Sequence, residues 1–315
     1  MNRRRMTIGV FAFTLGCASA PSFAAGAPVT LETFATTEVN GLEGLDVAAN
    51  GTLYVTNAVA HLLHKVTADG QVSEFAKVPV APQVILVTPS GFILTSQARD
   101  PDFSALAPPG GRGKGPGVSP MGSLGARVLV LDRQGRLLKS IDGPPGSFFN
   151  GFDRLGHEYL IADSVAGTIW LLDAARGTVE PWLKDPLLAP AQGRFPGANG
   201  LKVVNGTVYV ANTSSGEIYR IDSDPSGKPR GKLTSVAKIP GPDDFAVAAD
   251  GTIYVPSGGK ILVVSPGGAV STLAEGCEGC DAALLADHDH VLYLITHGFG
   301  PNAGHGRIYK IALQH

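Results

Sequence analysis

The sequence predicts an all-β fold, a six-bladed β-propeller of four-stranded blades, and three observations predict it. One turn-and-strand pattern recurs six times, helical periodicity is nearly absent, and 41 of the 315 residues are glycine. Units of roughly forty residues, each holding about four short alternating runs split by turn residues, are what propeller blades require. A β-sandwich is the competing all-β solution, but sandwiches rarely repeat one motif so many times.

The chain opens with Asn2-Arg3-Arg4-Arg5, an apolar stretch from Ile8 to Ala18, and Ser22-Phe23-Ala24. That is the pattern of a signal peptide spanning residues 1–24, too short in its apolar part to cross a bilayer. A second reading makes Thr14-Leu15-Gly16-Cys17 a lipoprotein processing site with Cys17 lipidated. Either reading predicts a periplasmic or secreted protein. Removal of the three arginines leaves about five more acids than bases and no basic stripe, so nucleic acid is not an expected partner.

Residues 25–315 are then expected to form one propeller domain, with blades at roughly 41–79, 80–142, 146–185, 196–238, 241–276 and 280–315. Blade one carries Gly51-Thr-Leu-Tyr-Val-Thr-Asn57 and Leu62 to Val66, and blade two a divergent copy, Gly91 to Ser96 and Arg127 to Leu131. Blade three has Glu158 to Asp163 and Thr168 to Leu172; blade four repeats the motif as Gly206-Thr-Val-Tyr-Val-Ala-Asn212 with Glu217 to Ile221. Gly251 to Pro256 with Lys260 to Val264, and His290 to Thr296 with Arg307 to Ile311, complete blades five and six. Residues 29–36 are expected to close the ring as the outer strand of the last blade.

Four inner strands begin alike: Leu42-Glu43-Gly44-Leu45, Phe149-Asn150-Gly151-Phe152, Ala198-Asn199-Gly200-Leu201 and Pro242-Asp243-Asp244-Phe245. In a closed ring Glu43, Asn150, Asn199 and Asp243 converge on the axis. Two carboxylates and two amide oxygens form an all-oxygen set that suits one divalent cation, Ca²⁺ foremost, with Mg²⁺, Mn²⁺ or Zn²⁺ as alternatives. The bland reading is that these pairs only make turns between blades. Three long excursions, at 101–125, 187–198 and 298–306, fall on the face where the four residues would lie, a placement that favours function.

On these residues the chain resembles the senescence marker protein/gluconolactonase family, which includes regucalcin and sugar lactonases. The resemblance implies a six-bladed propeller whose axial metal is held by Glu43 in Glu-Gly, Asn199 in Asn-Gly-Leu and Asp243 in Pro-Asp, with Asn150 contacting substrate. It also implies a small-molecule substrate and metal-dependent hydrolysis of a lactone or ester, with Asp243, or its neighbour Asp244, accepting a proton from water. Two departures stand out. Phe148 occupies the place of a family arginine, and Asp244 replaces the glycine after the metal aspartate. Phe148, Phe149 and Phe152 point toward a more apolar substrate.

Other signals compete. His297 ends a second strand on the active face and His305 lies in the loop above it, so both are candidate substrate-binding groups. His288 and His290 read as a solvated hairpin on the opposite face, and Asn57, Asp163 and Asn212 as turn caps. Cys277 and Cys280 are expected to form a disulfide rather than a metal or redox pair. No Gly-x-Ser-x-Gly elbow is present, and Gly110 to Gly117 is read as a lid, with Arg112 and Lys114 facing an acidic substrate. A non-catalytic binding propeller and a lyase or isomerase on the same scaffold are the other functional classes kept in view.

Overall fold

Alternating apolar and polar residues satisfy a strand that buries one face, and here nearly every such run becomes one. The computed structural model describes residues 29–97, 125–191, 194–297 and 304–313. Six four-stranded antiparallel sheets stand around an axis as a six-bladed β-propeller. No described helix is long and apolar enough to cross a membrane. The leader, Cys17 and the lid with Arg112 and Lys114 lie outside the described residues.

Each blade is a simple meander from the axis outward, except the last. Its inner three strands are Cys280–Ala286, Val291–Thr296 and Gly306–Ala312, and its outer strand is Glu32–Thr37 from the start of the chain. Glu32 pairs with Lys310 and Thr37 with Gly306, and Val29 makes a further bridge to Ala274 in blade five. The ring is therefore tied shut by backbone hydrogen bonds between its two ends, and the last blade is completed to four strands.

The core is not central but distributed between blades. One buried apolar cluster fills each of the six seams: Leu63 with Leu94 between blades one and two, Ile93 with Phe152 between two and three, and Leu160 with Leu201 between three and four. Ile218 with Phe245, Ile261 with Leu294, and Leu53 with Ile295 fill the rest. Phe149, Phe152 and Phe245 are fully buried, and each such side chain stabilises by about 2–3 kcal/mol through burial. Phe149 and Phe152 are thus seam residues, and the expectation that they shape a substrate pocket is corrected.

The glycines after Glu43, Asn150 and Asn199 are there for close approach, since none has a positive φ. A Cβ on Gly151 would sit 2.1 Å from Asn199 O, one on Gly200 2.6 Å from Asp243 O, and one on Gly44 2.7 Å from Gln83 O. The Asn-Gly pairs are seam elements rather than turns. Side-chain hydroxyls also latch seams between blades two and three, three and four, and four and five: Thr95 Oγ1 donates to Asn150 O at 3.0 Å, Ser164 Oγ to Ala198 O at 2.8 Å, and Thr213 Oγ1 to Pro242 O at 2.6 Å.

Candidate metal and active site

The inner strands enter the ring at Leu42, Pro82, Phe149, Ala198 and Cys280, and each pairing shifts register within the first three residues. Such a bulge re-aims the residue inside it. In these strands that residue is Glu43, Gln83, Asn150, Asn199 or Asp281, and Asp243 stands at the corresponding point ahead of the short inner strand Ala246–Val247. Six blades therefore contribute one polar side chain each.

Two of the six come together with His297. Its Nδ1 lies 3.0 Å from Glu43 Oε1 and 3.2 Å from Asp281 Oδ2, and one ligand atom from each of these three residues falls within 4.8 Å of the others. His297 is held by its own backbone: its N–H donates to Gly279 O at 3.0 Å and its carbonyl accepts from Gly41 at 2.9 Å, so one residue joins blade six to blade one. Asn199 Nδ2 donates to Asp243 Oδ1 at 2.5 Å and to Thr213 Oγ1 at 2.9 Å. Backbone bonds from Gly200 to Asp243 O and from Asp244 to Asp281 O, 3.0 and 2.9 Å, tie blades four, five and six at the same level.

Electrostatics follow from packing three carboxylates at a buried point. Burial pushes the Asp243 carboxyl well above its ordinary range, and the charges of Asp281, Glu43 and Asp244 add to the rise. Asp281 rises to about 7, first through burial, with His297 opposing. Burial alone would lower His297, but Glu43 and Asp281 outweigh it and raise the imidazole, so the ring carries a proton at neutral pH. Asn199 Oδ1 and Asp281 Oδ1 are buried without a hydrogen-bond partner. Orphaned oxygens cost free energy unless something with positive charge meets them. Glu43, Asp281 and His297 form a group that could hold a metal ion, and the orphaned oxygens of Asn199 and Asp281, with the carboxylates of Glu43 and Asp243, are a donor set whose chemistry fits a hard divalent cation.

The two aspartates of the Pro-Asp-Asp run separate cleanly. Asp243 faces Asn199, whereas both Asp244 oxygens accept from Lys202 Nζ at 2.7 Å in a buried pair. Asp244 as an alternative proton acceptor is therefore corrected: its carboxylate is committed to the ammonium below the cluster. Asn150 is half-buried at the ring level, and among the described residues its side chain makes no hydrogen bond. Phe148 is buried beside it, its N–H donating to Asp163 Oδ1 at 3.1 Å. His305 stands exposed at the end of the excursion over blade six and, among the described residues, is not joined to the cluster. Cys277 and Cys280 form a disulfide with Cα atoms 5.4 Å apart, immediately before Asp281.

Asp281 and Gln83 were missed by sequence reading. Cys280-Asp281-Ala282-Ala283 and Pro82-Gln83-Val84-Ile85 lack the glycine that marks the other starts. The signal is the last residue of the second strand, which pairs with the residue just ahead of the polar one: Asn57 with Leu42, Asp163 with Phe149, Asn212 with Ala198 and Thr296 with Cys280, which brings Asp281 level with Glu43.

No known sequence family and no curated protein matches this chain. Solved structures do share its fold. A gluconolactonase from Xanthomonas campestris superposes with a TM-score of 0.65 at 15% identity, over 90% of this chain and 89% of that one. The calcium-binding protein regucalcin from Agrobacterium tumefaciens gives 0.62 at 16%, over 87% and 90%. A catalytically inactive histidine-to-alanine variant of virginiamycin B lyase from Staphylococcus aureus gives 0.59 at 14%, over 90% and 99%. At such identities the likeness establishes a shared propeller fold, common to lactonase, calcium-binding and lyase proteins alike.

Proposed function

We propose that this protein is a periplasmic or secreted hydrolase of lactones or related esters that uses one divalent cation, Ca²⁺ by preference. The observation that carries the reading is the group of Glu43, Asp281 and His297, with the hydrogen-bonded pair Asn199 and Asp243 at the neighbouring inner strands and two buried oxygens, on Asn199 and Asp281, unsatisfied. Bound there, the cation would supply the positive charge that polarises an ester carbonyl and offsets the carboxylates. The likeness to a gluconolactonase and to a calcium-binding regucalcin agrees with this choice.

Hydrolysis adds water across the acyl C–O bond, so the protein must take one proton from water and return one to the departing oxygen. Asp243 suits the first task, because burial and its neighbours raise its affinity for a proton. His297, whose Nδ1 lies between Glu43 and Asp281, suits the second. Asn150 orients the substrate oxygen. Export rests on the pattern of residues 1–24, with which the Cys277–Cys280 disulfide agrees.

The test is elemental analysis of the purified protein together with turnover of a lactone panel, with and without chelator and for Asp243→Asn. Bound metal with chelator-sensitive, Asp243-dependent turnover supports the hydrolase; a metal-free protein inert toward every lactone overturns it. A lyase reading is favoured by one observation, a half-buried histidine flanked by carboxylates in a fold shared with a lyase that loses activity with a histidine. Reaction in ¹⁸O-water separates the two, since only hydrolysis places the label in the product.

A further inference from the structure

Six blades in a closed ring set blade three opposite blade six and blade four opposite blade one. Glu43, Asp281 and His297 therefore crowd one side of the axis. The facing side is built differently. Phe148 precedes Asn150 by two positions and Phe195 precedes Asn199 by four, and their rings meet edge to face with centroids 5.4 Å apart at 76°. Neither ring belongs to any of the six seam clusters, so the pair stands apart from the packing between blades.

Both rings are held firmly. Phe148 is pinned by the Asp163 carboxylate at its N–H and by Ser164 N–H at its carbonyl, 3.1 and 2.9 Å. The segment bearing Phe195 is anchored by Asn212, whose amide donates to Leu187 O and Ala189 O at 2.8 and 2.9 Å, and by Ser214, whose N–H reaches Pro196 O at 2.9 Å. Phe148 is buried while Phe195 keeps part of its surface open. A fixed aromatic surface beside a polar site has an obvious use: it accepts the part of a ligand that does not react.

We propose that Phe148 and Phe195 form the wall that receives the non-reacting end of the substrate, so that the substrate is an ester or lactone bearing an alkyl or aryl substituent and not a ring of hydroxyls. The proposal rests on the hydrolase reading and names its substrate class. Hydroxyls set against these two rings would lose water and find no donor or acceptor in the ring faces, whereas an apolar substituent gains by leaving water. The acyl group is thereby directed across the axis toward His297 and the carboxylates.

Four lactones with the same six-membered ring test it: δ-valerolactone, its 5-pentyl and 5-phenyl derivatives, and glucono-δ-lactone. The substituted pair is expected to exceed glucono-δ-lactone in kcat/KM by about tenfold or more. Phe195→Ala is expected to cut the ratio of phenyl-substituted to unsubstituted turnover about tenfold, mainly through KM, and Phe195→Leu to restore most of the pentyl preference. A preference for glucono-δ-lactone, or an equal effect of Phe195→Ala on all four, overturns the wall. If none of the four is hydrolysed, the hydrolase reading fails by itself and calorimetry with 2-phenyltetrahydropyran decides the wall. Binding to the wild type that Phe195→Ala abolishes sustains it, and absent or unchanged binding overturns it.

Discussion

At the residue scale, two adjacent carboxylates do opposite work because the blade gives them different neighbours. Asp243 meets Asn199 and two other acids, while Asp244 occupies the place of a glycine and is neutralised by Lys202. Asp243→Asn is expected to lower lactone turnover about 10³-fold while preserving the fold, because the proton acceptor is lost but Asn199 still has a partner. Asp244→Asn removes the carboxylate paired with the half-buried Lys202 ammonium and is expected to cost about 2 kcal/mol of stability. Parallel kinetics and denaturant melts of the two variants check this division; equal kinetic effects would show that Asp244 shares the chemistry. Sequence alone could not divide the two roles, since both aspartates follow Pro242 and only the position of Lys202 on the neighbouring blade distinguishes them.

At the scale of the element, the inner strand explains why Glu43, Asn150 and Asn199 were legible and Asp281 and Gln83 were not. The legible starts carry a glycine because the next blade's backbone passes within van der Waals contact, and that glycine makes the motif visible. At blade six the slot holds Ala282 and at blade two Val84, so the seam tolerates a Cβ and the marker disappears. The same geometry yields a stability expectation. Gly151→Ala would drive a methyl into Asn199 O and Leu201 N, and backbone cannot move aside as a flexible side chain can. It is expected to destabilise by about 2–3 kcal/mol and to weaken cation affinity, because it displaces Asn199. Gly146→Ala, where no atom lies within 4 Å but φ is +77°, is the control for backbone strain alone. Thermal melts with and without calcium compare the two, and identical calcium responses would separate Gly151 from the site.

At the scale of the whole molecule, the axis is a column of buried charge. Above lie Glu43, Asp243 and Asp281 with His297; deeper lie Lys202, Asp244 and two aspartates that bind the neighbouring blade's backbone. Asp46 accepts from Val87 N–H at 2.6 Å and Asp153 from Val203 N–H at 2.7 Å. Six repeats announced the ring, but the placement of this charge depends on which residues the bulges turn inward, and no repeat pattern states that. The column makes stability depend on pH with a definite sign. Burial raises Asp46 to about 6, against the hydrogen bonds from Val87 and Val47, and Asp153 rises for the same first reason. A carboxyl whose pKa is higher in the fold than in the unfolded chain contributes stability that is full below the unfolded value and is lost as pH rises through the folded one. For Asp46 the window runs from the ordinary carboxylate range up to about pH 6, a loss on the order of 3 kcal/mol. Asp46→Asn removes that titration, so its stability relative to wild type is expected to improve by about this amount between pH 4 and pH 7.5. Urea melts of both proteins in chelator measure the change; a difference independent of pH would show that Asp46 is ionised throughout. Under the proposed function, calcium is expected to act on the upper layer by a separate route. At about a hundred times its Kd it is expected to add ~2.7 kcal/mol, reversibly with chelator, and more at pH 7.5 than at pH 5, because the cation prefers Asp243 ionised and acid competes for the same oxygens.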